Sequence, residues 1–228
     1  YLFYFLLGYF YVIELDSKHL SGKWIGTTTY FIEFTVVKIL VVFFWFILLV
    51  YLNNYFHQEY IQKGQEKMLC IDLAFCGAIL FVSATDMLEM FLGLELIAFP
   101  SYALIALDKS KASSEASLKY FIYSVYGSLL FVISFVLLFI SSGQISFNEI
   151  AYFVDSAKFE LAAALWATTF FIKLGIGPFF YWAPPVYQAV SPVTFVFVSI
   201  VTKVPFLLPL LYLSRSYFFA THSWVFYY

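Results

Sequence analysis

The stretch Tyr120–Ile140, YFIYSVYGSLLFVISFVLLFI, determines the fold class of this chain. It contains no charged residue, and its length matches the roughly 20 apolar residues that a helix needs to cross a bilayer. The uncharged segment continues beyond it to Asn148. We therefore predict a transmembrane helix here.

The composition of the whole chain agrees with that prediction. Of 228 residues, 63% are hydrophobic and only 11% are charged, whereas a soluble domain has about 25% charged residues. Most of the surface must therefore face something other than water. A soluble enzyme and a disordered chain are excluded, and a net charge of −2 gives no basic surface for nucleic acid.

The charges separate further apolar runs of similar length. We predict an all-α polytopic membrane protein with six full transmembrane helices and a partial helix at each end. The six spans are about residues 33–53, 69–85, 87–107, 117–141, 161–182 and 191–213. The polar connections are Glu14–Tyr30, Asn53–Met68, Asp108–Ser117 and Ser142–Phe159, with a tight connection at Asp86 and Glu89. Lys and Arg divide evenly between alternate connections, so the positive-inside rule gives no orientation.

Three charged residues lie well inside predicted spans: Glu95, Lys173 and Lys203. A charge at the bilayer centre costs about 2.5–3.5 kcal/mol on insertion scales, so such residues usually have a function. The alternative is that each reaches the interface through its aliphatic stem or forms a static ion pair, but a lysine at mid-span reaches an interface with difficulty. Because burial disfavours the charged form of both partners, a coupled Glu95–lysine pair could exchange a proton at low cost. This pattern favours a proton relay.

A predicted helix break follows Lys173. Gly175, Gly177 and Pro178 remove side-chain packing and one backbone donor within four residues. Unpaired backbone groups at membrane depth persist only inside protein or beside a hydrated cavity, and broken helices mark ion sites in transporters. An ordinary proline kink is the alternative, but the adjacent lysine favours an ion path.

The other polar positions are less informative. Lys119 follows Ser113 and Glu115 in a helix-start pattern, and it is predicted either to anchor the helix at an interface or to lie at the mouth of a channel. Cys70 and Cys76 do not share a helical face, so they predict neither a disulfide framework nor a metal site.

Three stretches carry a family resemblance: DMLEMFLGLELIAFPSYALIAL at 86–107, SSEASLKYFIYSVYGSLLF at 113–131, and FFIKLGIGPFFYWAPPVYQAVSPVTFVFVSIVTK at 170–203. In this order and at these separations they resemble the antiporter-like membrane subunits of respiratory complex I. The resemblance is strongest to the subunit 2 family of mitochondrial NADH:ubiquinone oxidoreductase and its bacterial counterpart, over about residues 33–206. The chain departs from the family at Phe180, where the family has His, and at Pro185, where it has Asp.

The resemblance implies two inverted five-helix repeats, each with a broken helix near its centre. Residues 67–213 would form the first repeat, with its break near Gly175–Pro178, preceded by membrane helices in 1–66 and followed at 214–228 by the start of another helix. Either a separate polypeptide would supply the second repeat, which we prefer, or the protein would be truncated. By resemblance, Glu95 is the essential acid of the family and Lys173 is its partner at the broken helix. Lys203 would continue the path toward the membrane centre. Lys119 matches the lysine of the family's Lys-Tyr-Phe motif on its sixth helix.

The function implied is H⁺ translocation through this Glu/Lys relay in the mitochondrial inner membrane, coupled to quinone reduction elsewhere in the complex. The chain would carry no cofactor or metal; NADH, FMN, iron–sulfur clusters and ubiquinone would belong to partner subunits. Its partners would be other membrane-arm subunits and lipids, with no nucleic acid. Two alternatives stay open, namely a subunit of a multi-subunit cation/proton antiporter and a structural membrane subunit that does not pump.

Overall fold

A computed structural model describes residues 39–43, 45–47, 61–146, 157–207 and 209 of the chain. Four long helices make up most of it: α1 (Ile61–Ser83), α2 (Met87–Ala106), α3 (Lys111–Ser142) and α4 (Ala157–Leu174). A 3-10 helix (Gly177–Trp182), α5 (Ala183–Ala189), α6 (Pro192–Val196) and a π-helical turn (Phe197–Val201) follow. The described residues contain no named strand, and their one strand-like pairing is an isolated bridge between Asp86 and Ser146.

The helices agree with a polytopic membrane protein. Within the described residues, the stretches long and apolar enough to cross a membrane are Met87–Ala106, Lys111–Ser142 and Phe159–Ala189. They coincide with the predicted spans 87–107, 117–141 and 161–182. The predicted span 69–85 is helical as the later part of α1. Most of span 33–53, the end of span 191–213, the partial terminal helices and the segment 214–228 lie outside the described residues, so the count of six stays a prediction.

Two helix starts differ from the sequence prediction. Helix α1 begins at Ile61 and α3 at Lys111, whereas the predicted spans begin at 69 and 117. The cause at α3 is a capping box: Ser110 Oγ accepts from the backbone N–H of Ser113, and Ser113 Oγ accepts from the backbone N–H of Ser110. These bonds satisfy amides that the first helical turn leaves free, so the helix begins in polar sequence before the apolar run.

Among its described residues, the predicted span 191–213 is helical at its start and again at 207 and 209, with an interruption between. Helix α6 widens at Phe197–Val201 into a π-helical turn, in which Thr202 donates its backbone N–H to the carbonyl of Phe197 at 3.2 Å. A run of turns follows at 202–206. Pro205 supplies the physical reason, because it has no amide hydrogen and its ring obstructs the carbonyl four residues earlier.

Glycines set the distance between α1 and α2. A Cβ placed on Gly93 would lie 2.6 Å from the backbone nitrogen of Phe81, and one on Gly77 would lie 2.7 Å from that of Ile97. Each glycine thus faces the backbone of the other helix, at a separation that no side chain can occupy. This approach fixes the position of α2, which carries Glu95.

An ion pair joins the helices at one end of the bundle, the end opposite the α1–α2 connection. Lys67 Nζ donates to Asp108 Oδ1 at 2.7 Å, and Asp108 Oδ2 accepts from the backbone N–H of Ser191 at 2.7 Å. Both charged side chains are 10% exposed. The sequence analysis placed Lys67 and Asp108 in polar connections. The structure instead uses them to join the first turns of α1 to the end of α2 and the start of α6.

Replacing Asp108 with Ala should destabilise this end of the bundle by about 3 kcal/mol, because it leaves the buried Lys67 charge unpaired. The double variant Lys67→Met with Asp108→Leu should recover part of that loss, since an apolar pair needs no partner. The measurement is the temperature at which the assembled protein unfolds in membranes. Glu115→Ala is the control, because the Glu115–Lys119 pair is solvent-exposed and should contribute little. Equal shifts for Asp108→Ala and Glu115→Ala would contradict the prediction.

Candidate functional site

Lys173 lies in the last turn of α4 and points into the bundle. The residue is 6% exposed, and its Nζ donates to Ser124 Oγ at 2.5 Å and to Ser128 Oγ at 3.2 Å, both on α3. Both partners are neutral hydroxyls, so the buried ammonium is hydrogen-bonded without a direct counter-ion.

Small residues on α3 make room for this ammonium. Ser124, Gly127 and Ser128 share the helix face that α4 packs against, and a Cβ on Gly127 would lie 3.4 Å from Lys173 Cε. Ser128 Oγ also donates to the backbone carbonyl of Ser124 at 3.0 Å. The sequence analysis did not single out these residues. Their signal was available, because two serines at i and i+4 within an otherwise apolar span mark one polar stripe.

The predicted break after Lys173 is present. Helix α4 ends at Leu174, and Gly175 follows with φ of 69°, a left-handed conformation that favours glycine. Gly175 donates to the carbonyl of Ile172 at 3.2 Å and Ile176 to that of Phe171 at 3.0 Å, the pair of bonds that defines a Schellman C-cap. The helix dipole at such an end favours a cation, which Lys173 supplies.

Trp182 completes this cap from the far side of the break. Its indole Nε1 donates to the carbonyl of Ile172 at 3.0 Å. A Cβ on Gly175 would lie 3.4 Å from the Trp182 ring, so the glycine is also needed for close contact. Trp182 is 2% exposed, and its ring holds the 3-10 helix against the end of α4.

Glu95 lies near the middle of α2, which packs against α3. Within the described part of the chain, it forms no direct ion pair with Lys173, because Lys173 is turned toward the α3 serines. Glu95 Oε1 is buried and has no hydrogen-bond partner among the described residues. Glu95 and Lys173 thus lie on two helices, α2 and α4, that both pack against α3.

Lys203 follows the π-helical turn and lies against aromatic faces. Its Nζ is 5.4 Å from the centre of the Tyr187 ring and 5.7 Å from that of Trp182. Such contacts stabilise a partly buried cation where no carboxylate is at hand. Trp182 therefore contacts both regions, because its indole caps the helix end that carries Lys173 while its ring faces Lys203.

Lys119 does not join this group. Its Nζ pairs with Glu115 at 2.6 Å on the exposed first turns of α3, where the Lys119 side chain is 44% exposed. That position fits the predicted interfacial location. No group of three or more His, Cys, Asp or Glu is placed to hold a metal ion within the residues searched, which are those the structure describes.

A protein-family comparison bears on this arrangement. The transmembrane family described as NADH:quinone oxidoreductase/Mrp antiporter matches residues 84–228. The chain belongs to this family. Glu95, Lys173 and Lys203 all lie within the matched segment.

Curated relatives are similar in sequence to much of the chain. NADH-quinone oxidoreductase subunit N 2 of Chloroherpeton thalassium is 38% identical over 125 residues, which cover 52% of this chain and 24% of the relative. Subunit N of Ruthia magnifica subsp. Calyptogena magnifica is 29% identical over 179 residues, covering 75% of this chain and 37% of the relative. The chain thus spans about a third of the length of the curated relatives it matches.

Solved structures share the fold. A chain of respiratory complex I from Thermus thermophilus with bound aureothin is 26% identical, with a TM-score of 0.57, covering 64% of this chain and 33% of that one. A chain of an archaeal membrane-bound sulfane sulfur reductase has a TM-score of 0.63, covering 80% of this chain and 37% of that one, and at 24% identity it shows the fold alone. This chain is therefore an antiporter-like, multi-pass membrane protein of the complex I type.

Proposed function

We propose that this chain is a proton-translocating membrane-arm subunit of an NADH:quinone oxidoreductase, equivalent to subunit 2 or subunit N. The observation that carries the proposal is Lys173, an ammonium buried at a broken-helix end and held by two hydroxyls of the adjacent helix α3. A lysine so placed can hold or release a proton without moving the backbone. The family and the curated relatives support the same conclusion.

The proposed mechanism depends on charge coupling between Glu95 and Lys173. An ionised Glu95 attracts a charged Lys173, and the low polarity of the span makes that attraction stronger than it would be in water. When a proton passes from Lys173 to Glu95, both charges and the attraction between them disappear, and the neutral Lys173 can take up the next proton. The redox chemistry would lie in partner subunits and would act on this pair by moving a charge or a helix near it.

Lys203 would be the next proton carrier. Its contacts with Trp182 and Tyr187 stabilise its charged form, and Trp182 is also bonded to the end of α4. Thr202 and the π-helical turn before it place the lysine at a local irregularity of the backbone, a feature that recurs at functional sites. Lys119, which is exposed and paired, would assist proton entry or anchor α3 and would not form part of the buried relay.

The substitution Glu95→Gln tests this function. It preserves the shape of the side chain and removes its charge, so we expect proton translocation by the assembled complex to fall about tenfold, the factor for a lost coupling of about 1.4 kcal/mol. The measurement is proton uptake by membrane vesicles during NADH oxidation. The control Glu89→Gln makes the same change on α2, where Glu89 only accepts from Thr85 at the helix start. Normal pumping by an assembled Glu95→Gln variant would refute the relay.

The same vesicles separate the two alternative functions. The family description also names Mrp antiporters, and a cation/proton antiporter subunit would show sodium-dependent proton movement without NADH. A structural subunit would leave pumping unchanged in every relay variant that assembles. For the relay we expect pumping that needs NADH and quinone and is independent of sodium.

The remaining assignments are part of the proposal. We place the chain in the mitochondrial inner membrane, because 30 Phe and 19 Tyr in 228 residues are typical of an AT-rich organelle gene. Its partners would be the other membrane-arm subunits, including one that carries a second antiporter repeat, while NADH, FMN, iron–sulfur clusters and ubiquinone would bind elsewhere in the complex. Copurification of these subunits with the chain tests all of these assignments.

A further inference from the structure

Glu95 and Lys173 do not touch, so a proton moving between them needs an intermediate carrier. Tyr102 offers a hydroxyl for this role. It is on α2, seven residues after Glu95, and this separation of about 10.5 Å places both residues on the same face of the helix. Side chains of a helix lean toward its N-terminus, which directs the Tyr102 hydroxyl back toward Glu95.

The Tyr102 side chain is buried and its ring is fixed. The residue is 8% exposed, and its ring makes edge-to-face contacts with Tyr120 and Phe121, with ring centres 5.3 Å apart in both cases. Phe99 makes a third such contact at 6.0 Å. These three contacts fix the orientation of the ring, and with it the direction in which the hydroxyl points.

The Tyr102 hydroxyl lacks a hydrogen-bond partner in the described part of the chain. Like Glu95 Oε1, it is buried and has no hydrogen-bond partner of good geometry among the described residues. The ring that carries it contacts the ring of Tyr120, which lies one helical turn before Ser124 on the same face of α3. Buried polar groups left unpaired are rare and usually mark a functional position.

Ser124 connects Tyr102 to Lys173. Its Oγ accepts a hydrogen bond from Lys173 Nζ at 2.5 Å. A hydroxyl that accepts through a lone pair still has its own proton to donate, and the Tyr102 ring packs against Tyr120, one turn from Ser124 on α3. The groups therefore follow one another in the order Lys173, Ser124, Tyr102, Glu95.

We propose that Tyr102 is a proton carrier of the relay, and that its hydroxyl, together with that of Ser124, links Lys173 to Glu95. The Lys173 ammonium gives a proton to Ser124 Oγ, the former Ser124 proton passes to Tyr102 Oη, and the former Tyr102 proton passes to the Glu95 carboxylate. Lys173 becomes neutral, Glu95 becomes protonated, and both hydroxyls are regenerated. This inference rests on the proposed function, because it requires that Glu95 and Lys173 exchange protons.

The test is Tyr102→Phe in the assembled complex, with Tyr126→Phe as the matched control. The first variant removes one buried hydroxyl and keeps the ring, whereas Tyr126 is on α3, is 64% exposed, and faces away from the site. We expect Tyr102→Phe to slow proton translocation in vesicles about fivefold, the factor for one hydrogen bond of about 1 kcal/mol. The rate should also become more sensitive to replacement of H₂O by D₂O. A structural role alone would not produce that change.

Infrared difference spectroscopy provides a second measurement. The carboxyl band of Glu95, assigned by its loss in Glu95→Gln, should shift in Tyr102→Phe and stay in place in Tyr126→Phe. Normal pumping and an unshifted band in Tyr102→Phe, with pumping lost in Lys173→Met, would overturn this inference and leave the relay standing. Normal pumping in both variants would overturn the relay and this inference with it. Failure of Tyr102→Phe to assemble would also overturn it, because the hydroxyl would then be structural.

Discussion

Replacing Lys173 with Met is expected to abolish proton translocation in a complex that still assembles. Methionine has nearly the length of lysine and fits the same buried space beside Gly127. The substitution removes the ammonium that Ser124 and Ser128 hold, and with it the group that gives and takes the proton. Loss of a proton-transfer group lowers a rate by about a hundredfold or more, which would bring pumping below detection.

Folding should survive this change. Ser128 Oγ already bonds to the backbone carbonyl of Ser124 and so keeps a partner without Lys173. The Ser124 hydroxyl loses the bond that it accepts from Lys173, but it can rotate to bond a backbone carbonyl of the preceding turn. Removing a buried charge without a direct counter-ion is neutral or stabilising. The measurements are the amount of assembled complex in the membrane and proton uptake during NADH oxidation. Lys111→Met, at an exposed position in the first turn of α3, is the control. Pumping by Lys173→Met at the control rate would contradict the prediction.

Replacing Gly93 with Val is expected to prevent α1 and α2 from packing. The first added carbon would lie 2.6 Å from the backbone nitrogen of Phe81, and backbone atoms in a helix cannot move aside locally. The helices would have to separate, which would also expose the face opposite Gly77. We expect the free energy of unfolding to fall by about 4–5 kcal/mol or more, the range in which single substitutions unfold proteins.

The measurement for Gly93→Val is the amount of this subunit that resists protease in membranes. Gly143→Ala is the informative control, because Gly143 has φ of 69° and no atom within 4 Å of an added Cβ. It should cost only about 1 kcal/mol of backbone strain. A Gly93→Val subunit as resistant as Gly143→Ala would show that the two helices are held apart more widely than the structure indicates.

The sequence predicted those parts of the fold that depend on local composition. Helix α2 was predicted at 87–107 and is found at Met87–Ala106, because Asp86 and Asp108 bound an apolar run on both sides. The break after Lys173 was also predictable, since two glycines and a proline within four residues cannot continue a helix.

Long-range contacts were beyond the sequence analysis. Lys67 and Asp108 are 41 residues apart, and nothing local distinguishes them from the solvated charges of a connection. Ser124 and Lys173 are 49 residues apart, and Glu95 and Lys173 belong to different helices. The choice of partners is set by how the helices cross, and that depends on the glycine contacts between α1 and α2 together with the small residues of α3.

The cap at the end of α4 has a consequence for ion selectivity. A sodium ion entering a broken transmembrane helix is coordinated by carbonyl oxygens that the break has freed. Here the carbonyls of Phe171 and Ile172 already accept hydrogen bonds, Ile172 from both Gly175 and the Trp182 indole. The positive charge that this helix end attracts is supplied by a side chain of the protein itself. A metal cation would have to displace these hydrogen bonds and the Lys173 ammonium, whereas a proton needs only to bind to Lys173 or leave it.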